Sequence, residues 1–230
     1  MRDTGDVTAV VLAGGKGSRI GRDKALIPLG VKPLVEHVLA RVGALAPRAL
    51  VVTSGDDGRK RLRRLERPGV EVITDIVACG GPLAGIHAGL VASRTDRCVV
   101  VGCDMPFLST LLLAHLVRGL ARADAVVPRM AGTGFLEPLA AAYSKSCIPA
   151  IERLAASGPV RVARVFDEVQ VGYVDEDVCR RLDPGGLSFF NVNTPADLVR
   201  AEALVEGCQD GRCARCDVDM PCGQVRAGRA

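Results

Sequence analysis

The chain has 230 residues, enough for one sizeable α/β core and short for two. Apolar residues make up 48% and charged residues 24%, a globular profile, and with 3% aromatics and no Trp the core must be built from Val, Leu, Ile and Ala. A net charge of +4 is too small to call for nucleic acid, no apolar run is long enough to span a bilayer, and the polar start at residues 1–6 argues against a secretion signal, so the cytoplasm is the expected compartment.

The predicted elements alternate. Val7–Leu12 is a short β-branched run that reads as a buried strand, followed by a glycine-rich basic loop over 14–24. Residues 33–45 show helical spacing, with Leu34, Val38, Val42 and Leu45 on one face. A strand at Arg48–Thr53, a charged helical stretch over 56–67 and a strand at Val70–Thr74 come next. Gly80, Gly81 and Pro82 break the chain before a helix over 83–92. The apolar run Arg97–Gly102 leads into Cys103-Asp104-Met105-Pro106. A helix over 108–121 and a strand over 125–128 complete the regular part. Continuous apolar strands separated by helices imply a single α/β domain with a mainly parallel central sheet covered by helices on both faces.

Beyond Pro128 the pattern weakens. A loop spans 130–135, residues 144–156 and 160–165 look helical, and 169–174 reads as a strand. A closing helix over 195–205 has Asn193 or Thr194 as its cap and Pro195 in its first turn. There is no internal repeat. The chain thus divides into a domain over 1–206 and a Cys-rich tail over 207–230. Nine cysteines without a secretion signal argue against a disulfide framework. Four of them, Cys208, Cys213, Cys216 and Cys222, fall in the tail, where four thiolates over fifteen residues can close a Zn²⁺ site. A reducible tail and an iron–sulfur site are the competing readings.

The loop after the first strand holds four glycines and four basic residues in Leu12-Ala-Gly-Gly-Lys-Gly-Ser-Arg-Ile-Gly-Arg-Asp-Lys24. Glycines let backbone N–H groups turn toward an anion, and Arg19 and Lys24 add full charges against phosphate. The register fits neither the Walker loop nor the dinucleotide fingerprint, since Gly15, Gly17 and Gly21 give G-x-G-x-x-x-G. A solvated loop would look similar. Its place at a strand's carboxyl end, where ligands of open α/β sheets bind, favours the phosphate reading.

Leu12-Ala13-Gly14-Gly15, Ser18-Arg19-Ile20-Gly21 and Asp23-Lys24 resemble the signature of sugar-nucleotide-type nucleotidyltransferases, most of all the molybdenum cofactor guanylyltransferase family. Four later segments continue the resemblance in order: Lys32-Pro33-Leu34, Gly81-Pro82-Leu83-Ala84-Gly85, Cys103-Asp104-Met105-Pro106 and Phe190-Asn191-Val192-Asn193-Thr194-Pro195. It covers Leu12 to Leu198 and leaves out the tail. It implies a Rossmann-like nucleotidyltransferase fold and the transfer of GMP from GTP to molybdopterin, with Mg²⁺ as cofactor. Related readings are the same chemistry with CTP or another phosphorylated acceptor, and a non-catalytic nucleotide-sensing or cofactor-delivery protein. The doubled Gly14-Gly15 leans toward GTP.

The resemblance also assigns residues. Arg19, Lys24 and Asp104 form the catalytic set. Leu12, Ala13, Gly14, Gly15, Thr53, Asp75, Gly81, Pro82, Asn191 and Asn193 border the nucleotide or the acceptor. Asp104 becomes the Mg²⁺ ligand, which gives a carboxylate at the end of a buried strand the partner it requires; a cap on the next helix is the plainer alternative. Asp75, otherwise a turn residue, can accept from guanine N1–H and N2–H₂. The register near Thr53 leaves Ser54 as its alternative. Asn191 and Asn193 alternate and so share one face, which suits a polar heterocycle such as a pterin; capping the next helix is the other reading of Asn193. Of the histidines, His37 and His115 read as structural and His87 as facing the cleft. Expected partners are GTP, molybdopterin and proteins that make or receive the cofactor, with no nucleic acid and no membrane.

Overall fold

The β-branched runs pair side by side in a computed structural model that describes residues 7–14, 23–75, 80–131 and 134–206. The strands are β1 (Val7–Leu12), β2 (Pro28–Leu29), β3 (Lys32–Pro33), β4 (Arg48–Thr53), β5 (Val70–Thr74), β6 (Arg97–Gly102), β7 (Ala125–Arg129), β8 (Ala140–Ser144) and β9 (Val171–Asp175). Seven of them form one sheet in the order β5-β4-β1-β6-β8-β7-β9, while β2 and β3 make a small separate ribbon. The pairs β4–β5, β1–β4 and β1–β6 are parallel, so β5, β4, β1 and β6 all end on one edge. Only β8 runs against its neighbours β6 and β7.

Side chains alternate across the sheet with the strand period of two. Val7, Ala9 and Val11 enter one apolar layer, Val10 and Leu12 the other. The first layer is covered by α1 (Leu34–Gly43), α2 (Gly55–Leu62), α4 (Thr110–Gly119) and α6 (Glu176–Leu182), the second by α3 (Gly81–Ala92) and α5 (Ile148–Ala156). Helix α3 is buried along its length from Leu83 to Leu90 and lies so close to β1 that a Cβ on Gly89 would stand 2.3 Å from Val10 Cγ1. A third apolar cluster joins the ribbon to α7 (Pro195–Glu206) through Leu29, Leu34, Val192 and Ala201.

Where the structure differs from the sequence reading, local pattern gave way to tertiary packing. Residues 144–156 are not one helix: Ser144 closes β8, Lys145–Cys147 is a 3-10 turn, and α5 starts at Ile148. Residues 160–165 are not an α-helix either, because Val162–Asp167 winds as 3-10. The sequence reading lacks β8, α6 and the ribbon. Thr194 caps α7: its Oγ1 accepts from Asp197 N–H while Asp197 Oδ2 accepts from the Thr194 N–H, a reciprocal cap. Among the described residues no helix is long and apolar enough to cross a membrane.

Candidate functional site

Backbone hydrogen bonds extend the parallel sheet one step past its strands and set its carboxyl edge. Ala13 N–H reaches Val52 O at 2.8 Å, Asp75 N–H reaches Thr53 O at 3.0 Å, and Cys103 N–H reaches Leu12 O at 3.0 Å. Along that edge stand Asp75, Ser54, Gly14 and Asp104, in strand order. Gly14 is exposed and approaches the next loop so closely that a Cβ there would lie 2.9 Å from Ser54 Oγ.

Lys24 opens a single 3-10 turn, Lys24–Leu26, whose Ala25 is fully buried. The turn is tied down on both sides: Arg61 donates to the Asp23 carboxylate at 3.1 Å and Leu34 N–H to Ile27 O at 2.9 Å. From it, the Lys24 ammonium donates to Asp104 Oδ2 at 2.9 Å and to Asn193 Oδ1 at 2.5 Å. Three segments remote in sequence thus meet at one cation. The Lys24 and Asp104 side chains are 26% and 19% exposed, so the pair is shielded yet open to a ligand.

Asp104 and Asn193 are themselves held. Val192 N–H donates to Asp104 O at 2.9 Å, and Asp197 Oδ2 accepts from Asn193 N–H at 3.1 Å. Asp104 is free of capping duty, because Ser109 caps α4 by accepting from Leu112 N–H. Gly102 leaves room for the carboxylate: a Cβ there would stand 2.6 Å from Asp104 Oδ1. A carboxylate and an amide oxygen converging on one positive charge are hard oxygen donors of the kind Mg²⁺ takes, so the residues fit that ion. Among the described residues, no group of three or more His, Cys, Asp or Glu gathers into a metal centre.

On the strands beyond, Ser54 Oγ donates to Asp75 Oδ2 at 3.0 Å. Ser54 is exposed, whereas Thr53 is 4% exposed and turned against Gly58, so the side chain at the open end of β4 is that of Ser54. Gly81 and Pro82 are exposed at the start of α3. Gly80 and Gly81 both have positive φ, 64° and 68°, a turn that side chains resist, and it starts the helix abruptly. A turn further along, Gly85 lies against Leu12, where a Cβ would be 2.9 Å from Leu12 Cδ2. The exposed start of α3 therefore sits at the same edge as Gly14.

Other expectations meet a different arrangement. His87 does not face the cleft: it is 4% exposed inside the α3–α5 layer, with Nε2 3.1 Å from Glu152 Oε1 and Nδ1 without a partner. Asn191 and Asn193 flank the buried Val192 but serve separately, since Asn191 Nδ2 donates to Phe189 O while Asn193 holds Lys24. His37 is structural as expected, its Nε2 lying 2.9 Å from Leu29 O, and burial lowers its pKa. Gly15, Arg19, Cys79 and the tail cysteines proposed to hold zinc lie outside the described residues. The sequence reading missed Glu137, a half-buried carboxylate at the same edge. Burial raises its pKa, a bond from Leu139 N–H opposes that, and the charge of Asp104 adds to the rise.

A family model for the MobA-like NTP transferase domain matches residues 9–171. A probable molybdenum cofactor guanylyltransferase of Pelotomaculum thermopropionicum is 37% identical over 205 residues, 89% of this chain and 96% of that one. A molybdenum cofactor guanylyltransferase of Desulfosudis oleivorans is 30% identical over 204 residues, 87% and 96% of the two chains. The crystal structure of molybdopterin-guanine dinucleotide biosynthesis protein A from Archaeoglobus fulgidus superposes with a TM-score of 0.76 at 33% identity, over 87% of this chain and 99% of that one. With the sheet, the glycine edge and the Lys24–Asp104 pair in place, the chain belongs to the MobA-like NTP transferase family of nucleotidyltransferases.

Proposed function

We propose that this protein transfers GMP from GTP to the terminal phosphate of molybdopterin carrying molybdenum, giving the molybdopterin guanine dinucleotide cofactor and pyrophosphate, in the cytoplasm. An oxygen of the acceptor phosphate attacks the α-phosphorus, and the bond from that phosphorus to the β-phosphate's bridging oxygen breaks. The acceptor is already an anion at neutral pH and needs no general base. The observation that carries the reading is the convergence of Lys24, Asp104 and Asn193 beside the glycine edge, because in-line displacement between two anions depends on position and neutralisation.

Lys24 neutralises charge on the triphosphate and on the departing pyrophosphate, supported by Arg19 and the backbone of Leu12, Ala13, Gly14 and Gly15. Asp104, with the Asn193 amide oxygen beside it, would hold Mg²⁺, which supplies Lewis-acid neutralisation of the phosphate oxygens. Asp75, steadied by Ser54 with Thr53 packed beneath, accepts from guanine, since a carboxylate offers acceptors alone. Gly81 and Pro82 border the nucleotide; Asn191 and Asn193 border the acceptor. The tail over 207–230 forms a separate element, and its four cysteines hold Zn²⁺. Zinc content that survives deletion of the tail would refute that assignment.

Calorimetric titration with GTP, CTP, ATP and UTP in Mg²⁺, paired with pyrophosphate release in the presence of molybdopterin, tests the whole. GTP binds tightest and pyrophosphate release follows acceptor addition. Tighter CTP binding overturns the guanine assignment, and binding without pyrophosphate release overturns the catalytic one.

A further inference from the structure

Strand β8 reverses direction, so its amino-terminal approach arrives at the edge where β1, β4, β5 and β6 finish. Val101 pairs with Ala140, and Gly102 N–H reaches Leu139 O at 3.0 Å. The chain turns there, Ala140 N–H donating to Glu137 O at 3.3 Å, and the Glu137 carboxylate, held on Leu139 N–H, stands at the end of β6, two residues before Asp104. The electrostatic influence of Asp104 on Glu137 agrees with this placement.

The turn that carries Glu137 is firmly built. Glu137 N–H donates to Pro128 O at 3.2 Å, and the buried Tyr143 hydroxyl donates to Pro138 O at 2.9 Å. Leu139 N–H donates to Glu137 Oε1 at 3.3 Å, fixing the carboxylate. In sheet order the edge therefore reads Asp75, Ser54, Gly14, Asp104, Glu137. The first three belong to the nucleotide in the proposed function, on which this inference rests. Glu137 lies across Asp104 from them, and in-line attack brings the acceptor in from that far side.

We infer that Glu137 is an acceptor-binding residue whose carboxylate takes N–H donors from the nitrogen heterocycle of the acceptor. An acceptor-only anion cannot hold the incoming phosphate, which is itself negative, so it must meet the donor-bearing rings behind that phosphate. A fixed, half-buried carboxylate also disfavours acceptors that carry a phosphate but no N–H groups, because they would desolvate its second oxygen without supplying a donor.

The test is Glu137→Gln in the full chain, with Glu137→Asp as a second variant that keeps the charge. Expected for Glu137→Gln is a rise of about tenfold or more in KM for molybdopterin, with kcat and the calorimetric affinity for GTP in Mg²⁺ within twofold of wild type. Glu137→Asp recovers part of the loss. Binding of Mn²⁺ alone, followed by its electron paramagnetic resonance signal, stays unchanged. Lost Mn²⁺ or GTP affinity in Glu137→Gln would make Glu137 a metal-side residue and overturn the inference, as would an unchanged acceptor KM. An active wild type with an indifferent Glu137→Gln overturns this inference alone; a wild type inactive on molybdopterin overturns the proposed function and the inference with it.

Discussion

One methyl group placed at Gly102 tests the importance of where Asp104 sits. An added Cβ would lie 2.6 Å from Asp104 Oδ1, where ordinary contact starts at 3.4 Å, so the carboxylate must retreat by about 0.8 Å. The next neighbours, Met105 Sδ and Cγ at 3.5 and 3.6 Å, are already at ordinary contact, so the strain falls on the carboxylate. That retreat stretches the 2.9 Å bond from Lys24. A misplacement near 1 Å costs about a hundredfold in rate, so Gly102→Ala should lower kcat by about thirty- to a hundredfold. The fold should hold, because the Lys24–Asp104 pair is partly solvated and such pairs contribute little to stability. Steady-state pyrophosphate release gives the rate and a circular-dichroism melt the stability. Gly43→Ala is the control, since nothing lies within 4 Å of its Cβ. A folded Gly102→Ala with kcat within threefold of wild type would refute the argument that the reaction depends on the position of Asp104.

Lys24→Ala removes both bonds that converge on the site and should cost about 10²–10³ in kcat by pyrophosphate release; activity within tenfold of wild type removes the lysine from the mechanism. Asn193→Ala should lower kcat clearly more than Asn191→Ala, since Asn193 touches Lys24 and Asn191 bonds only within its own turn; equal losses would contradict that split. Gly89→Ala should overpack α3 against Val10, costing about 2 kcal/mol and several degrees of Tm while leaving KM values alone. Burial pushes the Cys98 thiol up to about 11 and the Cys147 thiol up to about 12, the latter with help from Asp124. A folded-state pKa raised above the unfolded one contributes stability that is present below the unfolded thiol pKa and lost as pH rises through the folded value. Melting temperature should therefore fall between about pH 8.5 and 12, and less steeply in Cys147→Ala. At neutral pH, Cys98, Cys103, Cys147 and Cys179 should resist a thiol reagent until the protein unfolds, as mass spectrometry of labelled peptides would show.

The parallel half of the sheet is legible because β1, β4, β5 and β6 are short runs rich in Val, Ile and Thr, and each occupies the residues the sequence assigns it. Strand β8 is hidden in the sequence because Ala140-Ala141-Ala142-Tyr143 has little strand propensity; burial on both faces and pairing with β6 and β7 make it a strand. Lys24 and Asp104 were readable through short motifs at strand ends. Asn193 was readable as a site residue, yet its bond to Lys24 depends on the approach of α7. Glu137 carries no local signal, since its place at the edge comes from the turn that leads into β8, a strand the sequence hides. The side that His87 faces is not legible locally, because a residue just after a glycine turn can point to either side of a helix, and packing against α5 decides which.

The Lys24–Asn193 bond spans 169 residues of chain. During synthesis β1, β4, β5 and β6 can leave the ribosome and pair long before residue 193 appears, so a nascent chain can own this parallel edge while lacking the clasp that centres the lysine. A chain ending before Asn193 would carry the parallel edge without the amide that holds the Lys24 ammonium.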